Sequence, residues 1–467
     1  MKKVFTLSLF TAALGMSQMT EAVKPDDFST LNKTLAAVVN NPDKPLASLS
    51  VLAVRDGKVV YQQQFGNKHI DNINAVNNKP ADADTTYRIA SISKTITAIG
   101  VMKLVEADKI KLDQDVSDYL GYKLRNPHFP NDKITMRMLL DHTSSLRDDA
   151  GYYWDEKSIT SLQEVLLPSG RLYGSGAMWS KVAKPGAFFA YANFPWGVIG
   201  TVMERVSQER FDRLMMRLVL NPLDIKGGFN PAEMSATDLA NVATLYRKRS
   251  VIEKKEVWNS AGPWVVQVDD YVGKPAVARA TADYVIGSNG TLFGPQGNCR
   301  LSATGLSQVM LMLMNRGVHD GKVFLKPKTV DEMLKTQWRA RPDGKNGQTS
   351  FGGGKDLFNA WGLGVQHFLD VSLADAGKGG GGDRLVAAGG YTATGHLGDA
   401  WGLTSAMVFN AEKKSGMIFL HGGPGFNPDT NPGKYSAMYR HEEQILDALY
   451  TDAVTAKPTA PKTDSKK

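Results

Sequence analysis

The segment "RIASISKTITAIG" (Arg88–Gly100) joins a short strand-like run to a stretch whose isoleucines recur at helical spacing. Ser91 and Lys94 lie three residues apart at this junction, and residues i and i+3 share one face of a helix. The hydroxyl and the amine would then be within hydrogen-bonding reach, among the unpaired amides of a helix N-terminus, which favour nearby negative charge. A helix-capping serine followed by a solvated lysine is the structural alternative, so the rest of the sequence must decide between the two.

A lysine amine can take the serine proton only when the amine is itself unprotonated. Burial away from water and nearby positive charge both lower a lysine pKa, so the amine must lie inside a cleft. Under that condition Ser91 is a candidate nucleophile and Lys94 is its candidate general base.

Two later tripeptides could supply a second proton carrier and a strand beside the nucleophile. Tyr-Ala-Asn at 191–193 is the one Tyr-x-Asn in the sequence, and His-Leu-Gly at 396–398 opens a predicted late strand. His-x-Gly also occurs at 319–321, in a polar turn, and at 421–423, where a strand ends. We therefore select His396, and Tyr191 as the proton carrier. A buried tyrosine with a satisfied hydroxyl is the alternative for Tyr191.

Hydrophobic periodicity predicts strands near both ends of the chain and helices between them. The β-rich runs Leu49–Val54 and Val59–Phe65 meet at Asp56-Gly57, a dipeptide that accepts the positive φ of a tight hairpin turn. Residues 111–333 are mostly helical in pattern, with long polar connections. Further predicted elements are a short strand at Tyr87–Ala90, helices at Asp27–Val39, Met136–Asp141, Phe194–Val206, Ser302–Asn315 and Tyr435–Tyr450, and strands at Trp361–Val371, Arg384–Ala388, Leu403–Phe409 and Met417–His421.

This element order predicts an α/β fold of the α+β type. One antiparallel sheet is built from both chain ends and flanked by the terminal helices. A large, mostly helical insertion subdomain at about 111–333 lies over one end of that sheet. The layout is non-local, because its strands come from opposite ends of the chain.

Residues 1–22 have the pattern of a secretory signal peptide, with two lysines, an apolar stretch and a candidate cleavage site after Ala22. The apolar stretch is too short to span a bilayer, and no later segment has the pattern of an integral membrane span. We expect a mature domain at 23–450, periplasmic or secreted, and a disordered tail at 451–467 rich in Lys, Pro, Thr and Ala. A buried N-terminal helix is the alternative for the first segment.

Composition and motif content exclude several classes of function. The net charge of +8 comes without a basic helix or aromatic-basic interleaving, so nucleic acid is not a predicted partner. The sequence has no Gly-x-Ser-x-Gly elbow, no Gly-x-x-x-x-Gly-Lys loop and no Gly-x-Gly-x-x-Gly after a strand. Ile445 stands where a zinc helix starting at His441 needs its second histidine, so we expect no metal and no cofactor. Cys299 is the single cysteine, which excludes an intrachain disulfide.

In this order, the three motifs resemble the serine-active penicillin-recognising family of class C β-lactamases, DD-peptidases, D-aminopeptidases and related esterases. The resemblance covers nearly the whole mature chain. "LLDHTSSL" (Leu139–Leu146) is similar to the family's Leu-Leu-x-His-Thr-Ser-Gly-Leu, and Arg300–Gly317 and Gly395–Gly423 resemble its later landmarks. As a set these motifs are highly specific, and they favour the catalytic interpretation of Ser91 and Lys94.

The resemblance implies acyl transfer through a covalent serine ester. Ser91 would attack a carbonyl carbon, while Lys94 and Tyr191 share the transfer of its proton to the leaving group. Water activated near Tyr191 would then release the acyl group.

The resemblance also assigns the groups that hold the substrate. Asn193 would orient Lys94 and the substrate amide, and His396 and Gly398 would lie on the sheet side of the cleft, the histidine as a polar or cationic contact. The backbone N–H groups of Ser91 and Asp399 would form the oxyanion hole.

The third motif departs from the family pattern in a way that bears on substrate. Family members that act on penicillins or D-Ala-D-Ala peptides commonly place hydroxyl residues in the middle of this motif and after it, to hold the substrate carboxylate. This chain has Leu397 in the middle of the motif, whose side chain cannot hydrogen-bond to the carboxylate. It has Asp399 just after the motif, whose negative charge would repel the carboxylate. The sequence favours a neutral ester or amide, or a substrate whose amine pairs with Asp399. A solvent-facing turn residue is the alternative for Asp399.

The leading hypothesis is therefore an exported serine hydrolase acting on a small-molecule or short-peptide ester, amide or D-amino-acid peptide. A true β-lactamase or DD-carboxypeptidase is the alternative among enzymes. A non-catalytic cell-wall peptide-binding protein is the alternative outside them, although a pure binder has no need of an activated nucleophile. The sequence leaves the oligomeric state open.

Overall fold

The computed structural model describes residues 27–279, 281–350, 355–375 and 379–456. The predicted signal peptide and most of the predicted tail lie outside these residues. The helices are α1 Ser29–Val39, α2 Ser93–Glu106, α3 Ser117–Leu120, α4 Met136–Leu140, α5 Gln163–Leu166, α6 Phe194–Ser207, α7 Phe211–Met215, α8 Ala236–Ala240, α9 Ala303–Met314, α10 Pro327–Leu334 and α11 Arg440–Leu449. The strands are β1 Ser48–Arg55, β2 Lys58–His69, β3 Lys79–Pro80, β4 Tyr87–Arg88, β5 Leu245–Ile252, β6 Lys255–Trp258, β7 Trp264–Val268, β8 Arg300–Leu301, β9 Val318–His319, β10 Lys322–Val323, β11 Trp338–Arg339, β12 Ala360–Trp361, β13 Gln366–Phe368, β14 Leu373–Asp375, β15 Gly379–Gly381, β16 Ala393–Ala400, β17 Leu403–Asn410 and β18 Ser415–His421. None of the helices in these ranges is long and apolar enough to cross a membrane.

A nine-stranded antiparallel sheet is assembled from the two ends of the chain, as predicted. Its strand order is β11-β12-β13-β16-β17-β18-β1-β2-β3. The N-terminal β1 pairs with the C-terminal β18, with Leu49 opposite His421. Asp56 and Gly57 turn the β1–β2 hairpin with φ values of 53° and 73°, the two positive values that a tight type I′ turn needs.

Two apolar layers cover the opposite faces of the sheet. Alternate residues of β1 point into different layers, Val51 and Ala53 toward α1 and α11, and Leu52 and Val54 toward the layer that contains α2 and α9. Each residue of α2 from Ser93 to Met102 is buried. The helix that carries Lys94 is therefore a central element of the core, closed off from water along most of its length.

The insertion between β4 and β11 also contains a sheet that the sequence analysis did not predict. β5, β6 and β7 form an antiparallel sheet in the order β6-β5-β7. Charged residues interrupt the apolar alternation of β5, which hides the strand signal. In the fold, the Arg249 guanidinium lies over the ring of its cross-strand partner Trp258, with 4.1 Å between the guanidinium carbon and the ring centroid.

Two late strand predictions were wrong in extent. Gly364, with φ 73°, breaks the run Trp361–Val371 into β12 and β13, and its carbonyl oxygen accepts a 2.9 Å hydrogen bond from Thr95 of α2. Arg384–Ala388 is not a strand. Its apolar side chains are buried against the terminal helices from an irregular segment, which a β-rich composition alone cannot distinguish from a strand.

The C-terminal boundaries also differ from the prediction. The last helix begins at Arg440 rather than Tyr435, because the preceding segment wraps around the Glu443 carboxylate, which accepts hydrogen bonds from three consecutive backbone amides. The first residues of the tail predicted from Thr451 are ordered, because a π-helical turn at Tyr450–Val454 continues the chain and buries its last two residues. The rest of the predicted tail, from residue 457, lies outside the described residues.

Candidate active site

Ser91 lies on a 3₁₀ turn at Ala90–Ile92, directly before α2. The backbone leading into this turn packs closely against β16. A Cβ atom added at Gly398 would lie only 2.6 Å from the Ile89 carbonyl oxygen. Glycine alone permits so close a backbone approach. The two elements that carry the predicted oxyanion donors, the N–H groups of Ser91 and Asp399, are therefore neighbours. His396 lies three residues inside β16 rather than at its start.

The Lys94 amine is fully buried and has three oxygen atoms within hydrogen-bonding distance. Its Nζ lies 3.1 Å from Ser91 Oγ, 2.8 Å from Asn193 Oδ1 and 3.1 Å from the Gln296 carbonyl oxygen. Burial lowers the pKa of Lys94 to about 7, against a smaller opposing effect of the Asp148 charge. A substantial fraction of the amine is thus unprotonated at neutral pH.

The three oxygens around Lys94 satisfy the amine in both protonation states. In the charged ammonium, each of the three N–H groups can donate to one of these three oxygens. In the neutral amine, the two N–H groups donate to Asn193 Oδ1 and to the Gln296 carbonyl oxygen, because these two oxygen atoms carry no hydrogen and can only accept. The lone pair is then left for the Ser91 hydroxyl, which becomes the donor. Proton transfer from Ser91 to Lys94 needs no rearrangement of this site.

The Tyr191 hydroxyl hydrogen-bonds to Ser91. Its ring stacks on His142 and on Phe358, with centroids 4.6 and 4.9 Å away. Burial raises the pKa of the Tyr191 hydroxyl well above its ordinary value, and its hydrogen bond with Ser91 only partly offsets this effect. Tyr191 is therefore a phenol at neutral pH and can donate a proton, which leaves Lys94 as the group able to accept one first.

The Leu139–Leu146 motif holds the Tyr191 segment in place. His142 Nδ1 accepts a 3.2 Å hydrogen bond from the Ala192 backbone amide, so this histidine is neutral and unprotonated at Nδ1. Ser145 stands where the family has glycine and takes φ 68°, a conformation that costs a non-glycine residue about 1–2 kcal/mol. The Asn126 side-chain amide donates to Ser145 Oγ at 3.2 Å.

Asp148 is a site residue that the sequence analysis missed. Its carboxylate accepts hydrogen bonds from the backbone amides of Asn193 and Phe194 at 2.8 Å and from Asn193 Nδ2 at 2.9 Å. It thereby caps the N-terminus of α6 and turns the Asn193 oxygen toward Lys94. Its position two residues after the Leu139–Leu146 motif, within an Asp-Asp pair, is the signal that could have identified it.

Replacing Asp148 with asparagine should lower kcat by about 10- to 100-fold, because hydrogen bonds to charged groups are worth about 1.5–3 kcal/mol. The acidic limb of the pH–rate profile should also move to lower pH, because the Asp148 charge raises the pKa of Lys94. Asp155→Asn is the matched control, since Asp155 lines the same cavity but bonds to its own loop. A fall in kcat without a shift of the limb would indicate a purely structural role.

His396 corrects one expectation, since the histidine is not a cation. Its side chain is 2% exposed, and burial, reinforced by Lys94, lowers its pKa to about 3. Nδ1 donates to the Leu397 carbonyl oxygen at 2.5 Å, because a carbonyl can only accept. Nε2 therefore presents a lone pair, and the polar contact predicted for His396 is that of a neutral acceptor.

All of the predicted site residues meet at one cavity of about 1500 Å³. Asp399 lines the cavity and has accessible surface within it. The surrounding cavity walls partly desolvate its carboxyl group and raise its pKa; the Arg247 charge lowers this pKa, and the Asp429 charge raises it further. The cavity is lined by the predicted residues Ser91, Tyr191, Asn193, His396, Leu397, Gly398 and Asp399, and Lys94 lies directly behind Ser91.

The fold and the Ser91–Lys94–Tyr191 arrangement define the class of serine hydrolases that use a lysine base. Residues 33–439 match the family model described as Beta-lactamase, so this chain belongs to the beta-lactamase family, which confirms the resemblance found in the sequence. Over 174 residues it is 27% identical to protein flp of Staphylococcus aureus (strain MRSA252), a match covering 37% of this chain and 33% of that protein. The chain thus spans about a third of the length of the curated relatives it matches.

Solved structures share the fold. The octameric penicillin-binding protein homologue from Pyrococcus abyssi is similar with a TM-score of 0.58 and 21% identity, covering 86% of this chain and 75% of that one. The D-amino acid amidase from Ochrobactrum anthropi SV3 is similar with a TM-score of 0.58 and 17% identity, covering 91% of this chain and 100% of that one. These similarities establish the architecture predicted from the sequence.

Proposed function

We propose that this protein is an exported serine hydrolase that cleaves amide or ester bonds through an acyl-serine intermediate. The observation that carries the proposal is the buried Lys94 amine 3.1 Å from Ser91 Oγ. Burying an amine disfavours its charged form and destabilises the fold. A protein that only binds peptide gains nothing from this arrangement, whereas a hydrolase obtains a base that is neutral near pH 7.

In the proposed mechanism, Ser91 Oγ attacks the substrate carbonyl carbon while its proton passes to the neutral Lys94 amine. The backbone N–H groups of Ser91 and Asp399 stabilise the oxyanion, as preorganised donors do in acyl transfer. Tyr191 then delivers a proton to the leaving nitrogen or oxygen as the carbonyl re-forms, and recovers one from Lys94. Water attacks the acyl-serine in a second cycle of the same steps and releases the acid.

The β16 side of the cleft favours substrates that donate hydrogen bonds. His396 Nε2 and Gln366 Oε1 are buried acceptors that line the cavity and have no partner among the described residues. The Gln366 amide donates to the Leu357 carbonyl oxygen at 2.8 Å, which identifies its Nε2 and leaves Oε1 as the acceptor without a partner among the described residues. With the Asp399 carboxylate beside them, these acceptors suit an amide N–H or an ammonium and disfavour a carboxylate at this point.

The Asp399→Thr variant should lose selectivity for uncharged or cationic substrates. We expect the ratio of kcat/KM for D-alanine p-nitroanilide to that for its N-succinyl derivative to fall about tenfold, the scale of a charge pair at a partly exposed site. Asp155→Asn is again the control, since it removes a cavity carboxylate on a different loop. Unchanged selectivity in Asp399→Thr would refute the role of Asp399.

A panel of p-nitroanilides and p-nitrophenyl esters, with intact-protein mass spectrometry after fluorophosphonate treatment, tests the proposed reaction. Turnover of an amide or ester together with one label supports it. Nitrocefin turnover or tight labelling by a fluorescent penicillin would instead establish a β-lactamase or DD-carboxypeptidase. No label and no turnover would favour the non-catalytic binding protein.

The export proposal rests on the signal-like pattern of residues 1–22. It predicts that the protein recovered from the periplasm or medium begins near residue 23, which N-terminal mass analysis can determine. Full-length protein confined to the cytoplasm would contradict it.

A further inference from the structure

The turn between β16 and β17 places a tryptophan at the edge of the cavity. Trp401 and Gly402 are the two residues of this turn, because Ala400 pairs with Leu403 on either side of them. Their φ values are 57° and 96°, the two positive values of a type I′ turn. Such a turn favours Asn, Asp or Gly at its first position, and a left-handed backbone is costly for a bulky residue. Trp401 is therefore a poor choice for the turn itself.

The packing of the fold accounts for Gly402 but not for Trp401. A Cβ atom added at Gly402 would lie 2.9 Å from the Tyr246 carbonyl oxygen of β5, so the close approach of β5 requires glycine there. Trp401 is instead 55% exposed, and in the described part of the chain no aromatic ring or cation stacks on its ring. A strained residue that contributes so little packing indicates a role outside folding.

Trp401 lines the same cavity as the nucleophile, beyond the second donor of the oxyanion hole. Ser91, Asp399 and Trp401 all contribute to the cavity wall. A β-strand rises about 3.4 Å per residue, which puts the Trp401 backbone at most about 7 Å beyond that of Asp399. Because β5 packs closely on the turn at Gly402, the indole ring is presented to the cavity from a fixed backbone.

The order of residues along β16 assigns the Trp401 end of the cavity to the acyl part of the substrate. Tyr191 delivers the proton to the leaving atom in the proposed mechanism, and its ring centroid lies 6.2 Å from that of His396. His396, Asp399 and Trp401 follow one another along β16 and its turn. Since the carbonyl oxygen is held at Asp399, between these two ends, the leaving group lies toward His396 and the acyl group toward Trp401.

We propose that Trp401 forms a subsite for an apolar or aromatic group in the acyl part of the substrate. The subsite rests on the proposed function, because its ligand is the acyl part of that reaction's substrate. An apolar group laid against the indole ring removes apolar surface of both partners from water, and an aromatic group gains a favourable ring contact as well. The subsite assigns the substrate class as an ester or amide whose acyl group carries an arylalkyl or other large apolar group.

The acyl-chain selectivity of a Trp401→Asn variant tests the subsite. Asparagine suits the first position of this turn, so the backbone is retained while the ring is removed. The substrates are p-nitrophenyl 3-phenylpropanoate and p-nitrophenyl propanoate, which differ only by the phenyl group. We expect the ratio of their kcat/KM values to favour the phenyl ester in the wild type and to fall about tenfold in the variant. An unchanged ratio in a folded Trp401→Asn protein would overturn the subsite.

Two further variants separate the effect of the ring from the effect of the turn. Trp401→Phe keeps an aromatic ring at the same backbone position and should retain part of the selectivity. Glu253→Asn is the matched control, because Glu253 takes φ 50° at the first position of the β5–β6 turn and does not line the cavity. It should leave the ratio of kcat/KM values unchanged. Selectivity lost equally in Glu253→Asn and Trp401→Asn would contradict a role of the indole ring.

Thermal stability distinguishes a substrate contact from a structural role of the ring. In Trp401→Asn the relief of backbone strain offsets the packing lost with a half-exposed ring, so Tm should rise or stay within about 2 °C of the wild type. A fall of more than about 5 °C would show that the fold needs the ring, and would remove the reason for assigning it to the substrate.

Binding to the full-length Ser91→Ala protein separates failure of the subsite from failure of the proposed function. The probes are 3-phenylpropanamide and propanamide, measured by ligand-observed NMR. Binding of the phenyl amide about tenfold more tightly, lost when Trp401→Asn is added, supports the subsite even where no substrate is turned over. Turnover of both esters with no phenyl preference in kinetics or binding removes the subsite and leaves the hydrolase intact.

Discussion

Replacing Ser91 with alanine should abolish turnover, with kcat lowered by at least about 10⁴-fold, because the covalent route disappears with its nucleophile. Residual hydrolysis would come only from oxyanion stabilisation and substrate binding. The measurements are kcat on the best p-nitrophenyl ester or p-nitroanilide, and intact mass after fluorophosphonate. The mass increment seen in the wild type should be absent from the variant.

Ser93 provides a matched control two residues away. Its side chain is buried, accepts a 3.1 Å hydrogen bond from the Cys299 amide and does not line the cavity. Ser93→Ala should lower stability by about 1–3 kcal/mol, the effect of an unsatisfied buried amide, and keep the label. Turnover that survives in Ser91→Ala, or a label that moves with Ser93, would remove Ser91 as the nucleophile.

The sheet could be predicted because its determinants are local. An Asp-Gly pair between two β-rich runs specifies the N-terminal hairpin by its backbone conformation alone. In the same way, two late apolar runs separated by a turn specify the C-terminal hairpin. The joining of β1 to β18 follows, because neither half can bury both of its faces. Element boundaries were less predictable where long-range partners decide them. The start of α11 depends on the hydrogen bonds that the Glu443 carboxylate accepts from the preceding backbone amides, and hydrophobic periodicity carries no information about them.

The candidate site divides in the same way. Ser91 and Lys94 could be paired from spacing, because three residues on a helix bring two side chains together wherever the helix lies. Asp148 and Gln366 could not, because their contribution depends on contacts with residues far away in sequence. Gln366 has no local signal, and Asp148 has only its place two residues after the Leu139–Leu146 motif, which marks a candidate without assigning its role. The neutral state of His396 likewise depends on burial and on one carbonyl oxygen, neither of which the His-x-Gly motif specifies.

Replacing Lys94 with arginine should lower kcat by about 10²- to 10⁴-fold, the range of general-base catalysis. Arginine provides donors for the oxygens of Asn193 and Gln296, but its guanidinium stays charged at every accessible pH, whereas the Lys94 amine can be neutral. The variant therefore cannot accept the Ser91 proton. Fluorophosphonate labelling, followed as a rate, should slow by a similar factor, because it uses the same activated hydroxyl.

The pH–rate profile distinguishes Lys94 from Tyr191 as the initial base. Because burial lowers the pKa of Lys94 to about 7, the amine is protonated and inactive below that pH and neutral above it. The wild-type kcat/KM, which reports free-enzyme groups, should therefore rise with pH and level off above about 7. The raised pKa of Tyr191 would instead place the limb well above pH 10. A limb in that alkaline range, or a Lys94→Arg protein as active as wild type, would assign proton abstraction to Tyr191.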